Sequence, residues 1–183
     1  LVVADETTMW RVNAKGEKKA LATKQDFPDA IEFLNDVAAA PDGDGVYVTE
    51  MSHPKWMFDP DGTRQLWPVD SPEAKCPQTG CAYRVGLDGK VTLAVPAGGK
   101  LTGPNGVTVR GKGGHAQIVL GDFFTGNILA WDGQKHTVVA SGMRGADAVE
   151  FDNGIMYVSS WHLGKVWKYD LKQKSVTVLS DNF

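Results

Sequence analysis

The sequence predicts an all-β chain built as a β-propeller of four-stranded antiparallel blades, and three observations carry that expectation. The first is the stretch Gly145–Ser180, which holds four short apolar runs at Ala148–Phe151, Ile155–Ser160, Lys165–Tyr169 and Ser175–Leu179. The breaks between them, Asp152-Asn153-Gly154, His162-Leu163-Gly164 and Asp170–Lys174, are rich in the residues that turn a chain. Four strands in about 36 residues is the size of one propeller blade. The second observation is recurrence. Gly103–Gly142 repeats the layout, and Leu34–Met51 repeats its first half. The third is composition: 21 Gly and 9 Pro fall mostly in the breaks, as an all-β chain with many turns requires.

Taken in order, Leu1–Asp5, Met9–Asn13 and Lys18–Thr23 read as the last three strands of a blade whose innermost strand is missing. Asp26–Leu34 crosses to the next blade, which starts at Asp36–Ala40, turns at Pro41–Gly45 and returns along Val46–Met51. An insertion at about 52–80 follows. In it, Trp56–Phe58 and Gln65–Val69 flank the turn Asp59-Pro60-Asp61-Gly62, which suggests an extra hairpin. The blade resumes at Ala82–Val85, turns at Leu87–Lys90 and ends at Val91–Val95. Two complete blades finish the chain. No segment carries a helical period behind a capping box. The whole, 1–183, is expected to be a single partial propeller domain of about four blades, one incomplete.

Bulk properties exclude several classes. With 42% hydrophobic residues the chain can bury a substantial core, and no run approaches the ~20 apolar residues of a membrane helix. A net charge of −3 with acids and bases interspersed argues against nucleic acid as a partner. The opening on Leu1, with no charged-then-apolar leader, leads to the expectation of a processed chain or a piece of a larger protein. Cys76 and Cys81, in CPQTGC, are the only cysteines. They read either as a small disulfide loop, which would place the protein in the periplasm or outside the cell, or as two free thiols.

Propeller geometry sorts the loops into two faces. Loops that enter innermost strands and loops that join second to third strands share one face. That face receives Asn35, Asn105 and Asp147, each just ahead of its innermost strand, together with Ser52-His53, Phe124-Thr125 and Trp161-His162. The Asp-Gly turns at 42–43, 88–89 and 132–133 fall on the other face and read as hairpin chemistry. Three oxygen-bearing side chains on adjacent blades at one channel mouth suit a hard cation such as Ca²⁺, Mg²⁺ or Mn²⁺. The alternative is that each closes an Asx turn. His53 and His162 lie where they could touch a substrate. Phe124 and Trp161 either wall the pocket or pack between blades. There is no Gly-x-Ser-x-Gly elbow, and the Gly-rich GKGGH at 111–115 is a turn on the opposite face, which argues against serine chemistry and phosphate binding.

The segments LNDVAAAPDG, GPNGVTV and GADAVEFDNGIMYVSSWHLGKVWKYD resemble blades of the regucalcin (senescence marker protein)/gluconolactonase family. That resemblance implies a six-bladed propeller of which this chain is a part. It also implies one divalent cation in the central channel, Ca²⁺ foremost, with Mg²⁺, Mn²⁺ or Zn²⁺ as alternatives. The activity it implies is hydrolysis of a small-molecule lactone or related ester. By the resemblance Asn105 and Asp147 match two metal ligands, Asp147 is also the base that activates water, and Asn35 matches a polar residue near substrate and metal. Two features depart from the family pattern. The Glu-Gly-Pro motif of the family's first blade has no counterpart, and its Pro-Asp-Gly is here Ala146-Asp147-Ala148. The competing expectation is a non-catalytic propeller that binds a ligand or protein, with partner protein or missing blades covering its open edges. The insertion, carrying Trp56, Trp67 and the cysteine pair on the channel face, favours it, although the insertion also reads as a substrate lid.

Overall fold

The computed structural model describes residues 1–52, 77–111 and 116–181, and it contains four antiparallel sheets. The first has three strands, β1 (Val2–Asp5), β2 (Thr8–Val12) and β3 (Lys18–Thr23), in the order β1-β2-β3. A single 3₁₀ turn over Lys24–Asp26 leads onward. The second sheet is β4 (Leu34–Ala39), β5 (Gly45–Glu50), β6 (Cys81–Gly86) and β7 (Val91–Val95). The third is β8 (Pro104–Arg110), β9 (Gln117–Asp122), β10 (Ile128–Trp131) and β11 (His136–Ala140). The fourth is β12 (Ala146–Asp152), β13 (Ile155–Ser160), β14 (Lys165–Asp170) and β15 (Ser175–Asp181). In each, sequence neighbours pair, as short turns between antiparallel strands require. The expected hairpin inside the insertion, and most of GKGGH, lie outside the described residues.

Contacts between sheets fix which strand is innermost. β4, β8 and β12 touch in series, and each also touches the second strand of the sheet before it: β9 meets β12, β5 meets β8, and β1 meets β4. β1 therefore occupies a second-strand position, in agreement with an incomplete first blade. A backbone bond repeats the relation: the Leu34 N–H donates to the Glu6 carbonyl as the Gly145 N–H donates to that of Phe123.

The core lies between the blades, because alternate residues of a strand face opposite neighbours. Val46 and Val48 of β5 pack toward the first sheet with Met9, Ile31 and Tyr83, while Tyr47 packs toward the third with Leu120 and Leu129. Met156, Val158, Trp167 and Tyr169 close the seam between the third and fourth sheets with Val119 and Ile128. The far side of the fourth sheet has no facing sheet among the described residues. There β13 alternates buried and half-buried residues, and all of β15 is exposed, including Val176, Val178 and Leu179.

The Asp-Gly turns behave as hairpin chemistry. Asp42, Asp88 and Asp132 each accept a backbone N–H two residues on, and Gly43, Gly89 and Gly133 sit at φ 78°, 89° and 94°. Arg84 adds an exposed ion pair to Asp42 at 2.8 Å.

Candidate active site at the inner strands

All three innermost strands break register at the same place. Pairing slips between Leu34 and Val37, between Pro104 and Val107, and between Ala146 and Val149. Each slip is a β-bulge, which leaves two residues out of the ladder and re-aims their side chains. Those residues are Asn35-Asp36, Asn105-Gly106 and Asp147-Ala148. The sequence reading placed Asn35, Asn105 and Asp147 just before their strands. They lie instead within β4, β8 and β12, at equivalent bulge positions.

The bulges of β8 and β12 meet. The Asn105 side chain lies beside the Asp147 carboxyl, and Asn105 is itself buried, with an Oδ1 that has no hydrogen-bond partner among the described residues. An orphaned buried acceptor costs about 1–3 kcal/mol, so it marks either strain or a missing partner. The same observation removes the Asx-turn alternative at Asn105, since its oxygen accepts nothing from the backbone. Burial raises the Asp147 carboxyl above the ordinary aspartate value, the nearby Asp36 charge adds to the rise, and the Asn105 side chain opposes it.

Close backbone approach makes this meeting possible. A Cβ on Gly106 would overlap the Asp147 carbonyl oxygen and lie 2.9 Å from the Val149 nitrogen. Both obstacles are backbone, so neither can rotate away. Gly106→Ala is expected to cost about 1–3 kcal/mol and to push Asp147 away from Asn105. A thermal melt paired with a calcium titration checks it, and full retention of both would contradict it.

Sequence reasoning missed Asp36. It spans two blades: Oδ1 accepts the Val37 N–H at 2.8 Å and Oδ2 accepts the Val107 N–H of β8 at 2.9 Å. Burial raises its carboxyl, and those two backbone bonds oppose the rise. The bland Asn-Asp pair hid it, since only the packing of β4 on β8 shows which residue crosses the seam. Asn35 is half-buried, and its Nδ2 points to the Met51 sulfur at 3.6 Å.

The remaining candidates are scattered around the rim. Phe124 packs edge-on against Phe123 beside Met51 and Phe33, so it belongs to a rim apolar cluster. Trp161 is 60% exposed and His162 is exposed; their loop folds over Gly145, two residues from Asp147. His53, Trp56, Trp67 and Cys76 lie outside the described residues. Cys81 carries a buried free thiol whose pKa burial pushes up to about 11, which makes it a poor nucleophile.

A cavity of about 560 Å³ opens beside the second sheet, lined by Asp29, Glu32, Glu50, Cys81, Tyr83 and Leu93. It is separate from the Asn105–Asp147 pair. Glu50, its most buried carboxylate, is already taken up by the Glu32, Phe33 and Ser52 N–H groups at 3.0–3.2 Å. The pair, unlike the cavity, stands at matching bulges of two inner strands, so it is the better candidate for chemistry.

The chain superposes on regucalcin of Agrobacterium tumefaciens, a calcium-binding protein, over 97% of its own length with a TM-score of 0.64 and 19% identity. Its four antiparallel sheets match about half of a six-bladed propeller of this kind. The chain spans about half of that structure, 55% of its length. A luciferin-regenerating enzyme gives a TM-score of 0.63 at 16% identity, covering 99% of this chain and 57% of its own. An auxiliary nutrient binding protein of Bacteroides thetaiotaomicron gives 0.60 at 11%, covering 96% and 36%. No family model matches the sequence, and no curated protein matches it. Among the described residues no helix is long and apolar enough to cross a membrane.

Proposed function

We propose that this regucalcin-like chain carries the metal-binding part of a hydrolase acting on lactone or related ester carbonyls. The orphaned Asn105 Oδ1 beside the Asp147 carboxyl is the observation that supports it. Two hard oxygens, one neutral and one anionic, suit Ca²⁺ first among divalent cations, with Mg²⁺, Mn²⁺ or Zn²⁺ as alternatives. A cation held there would supply Lewis-acid polarisation of the substrate carbonyl. The Agrobacterium regucalcin is a calcium-binding protein, which points the same way.

The chain's own residues divide the remaining work. Asn105 lies beside Asp147 and keeps Oδ1 free for the ligand. Asp147 takes a proton from the water that attacks the carbonyl, and the raised proton affinity of its carboxyl suits a base working toward neutral pH. Asn35, at the equivalent bulge on β4, orients the substrate. Phe124, Trp161 and His162 contribute rim contacts.

A second reading, a binding platform without chemistry, draws on exposed apolar groups at the Trp161 rim loop: Trp161 itself and Leu163 at 42% exposure. Calorimetric titration with Ca²⁺, followed by turnover of sugar and aliphatic lactones, separates the two. The hydrolase reading expects one bound ion and cation-dependent turnover. Absence of both leaves the platform.

A further inference from the structure

The seam between the second and third blades contains a hydrogen-bonded chain found at neither of the equivalent bulges. The Asp36 N–H donates to Thr49 Oγ1 at 3.0 Å, and the Thr49 hydroxyl donates to the Asn105 carbonyl at 2.6 Å. The Asp36 carboxylate returns across the seam to the Val107 N–H. Thr49 is fully buried. The peptide groups on both sides of Gly106 are therefore tied to β4 and β5.

At the matching place in the third blade stand Gly106 and Gly121, which have no side chain to offer. In the fourth stand Ala148 and Ser159, where the Ser159 hydroxyl accepts the Ala148 N–H at 3.0 Å. That keeps the bulge bond, but Ala148 has no carboxylate to reach a neighbouring blade.

We propose that Thr49 and Asp36 form an interblade clasp that positions Asn105 for a divalent cation, so that cation affinity depends on a hydroxyl that never touches the ion. The inference rests on the proposed cation site. Asn105 sits in a two-residue bulge, which the ladder does not restrain, and its own Oδ1 makes no bond. The clasp restrains the backbone there, and Asn105 lies beside Asp147. Removing such a supporting contact in metal sites weakens affinity by about 10–100-fold.

Thr49 gives a charge-neutral test. Thr49→Val keeps the shape and removes the hydroxyl, whereas Thr49→Ser keeps the hydroxyl. In Ca²⁺ titrations, Thr49→Val is expected to raise Kd by about 10–100-fold, and Thr49→Ser to stay within a few-fold of the unsubstituted protein. Equal Ca²⁺ affinity in Thr49→Val overturns the clasp while leaving the cation site standing. An unsubstituted protein that binds no Ca²⁺ overturns the site itself, and the clasp with it.

A second measurement needs no variant. Coupling is reciprocal, so a cation that relies on the clasp must tighten it. Exchange of the Val107 amide with solvent is expected to slow when Ca²⁺ is added. An unchanged rate in Ca²⁺-bound protein overturns the proposal even if Thr49→Val fails to fold.

Discussion

Asp147→Asn is expected to lower lactone turnover by about 10²–10³-fold, the usual worth of a charged group acting in the transition state. Calcium affinity should fall in the same experiment, because Asp147 is the anionic member of the Asn105 pair. Stability should not fall with it. Burial and the Asp36 charge raise the Asp147 carboxyl above the ordinary value of 3.8. A carboxyl raised on folding contributes stability below the unfolded pKa and loses it as pH rises through the folded pKa. At neutral pH the ionised side chain is thus a net cost to the cation-free protein, and the neutral amide removes that cost. The cation-free variant should melt at or above the temperature of the unsubstituted protein at pH 7, with the advantage vanishing below about pH 4. Turnover assays with and without Ca²⁺, beside melts at both pH values, check this. A much lower melt at pH 7 would make Asp147 a structural residue.

Asp122→Ala should show the opposite pattern, a large loss of stability. Asp122 ends β9 fully buried, and its carboxylate accepts four backbone N–H groups. Oδ2 takes those of Thr102 and Gly103 at 2.6 and 3.2 Å; Oδ1 takes those of Phe124 and Thr125 at 3.2 and 2.9 Å. It ties the loop entering β8 to the loop leaving β9. Truncation strands several buried donors at once, for an expected cost of about 3–5 kcal/mol. In a chain of this size that lowers the melting midpoint by about 10 °C. Asp122→Asn keeps one acceptor oxygen and aims donors at the other amide pair, so its loss should be intermediate. Denaturant melts of both variants test the ranking. A loss below about 1 kcal/mol for the alanine variant would mean that water replaces the carboxylate.

The same device recurs with different chemistry. Glu50 and Ser160 end β5 and β13 at the pairing position of Asp122: each faces the first residue of its inner strand, as Asp122 faces Pro104. Glu50 holds three N–H groups, and Ser160 Oγ donates to the Arg144 carbonyl and accepts the Leu163 N–H. Because Glu, Asp and Ser share no pattern that a sequence scan would align, this rim lock was invisible until the strands were paired.

Much of the fold was legible in the chain itself. Apolar runs four to seven residues long between Asn, Gly and Asp breaks can satisfy their backbone only by pairing with their neighbours. The strand order, the incomplete first blade and the separation of Asp-Gly turns from the inner-strand positions follow from that local rule. Asn35, Asn105 and Asp147 could be set in register because the repeat is steady. What local chemistry could not supply is anything that depends on how one blade lies on the next. The shared bulge, the contact of Asn105 with Asp147 across Gly106, and the reach of Asp36 to Val107 join residues up to 71 positions apart. The sequence shows that an oxygen-bearing residue stands at each inner strand. Only the packing of β4 on β8 and β8 on β12 decides which of those oxygens is bonded and which, Asn105 Oδ1, is left without a partner. That difference arises between sheets, where the spacing of residues along the chain carries no information.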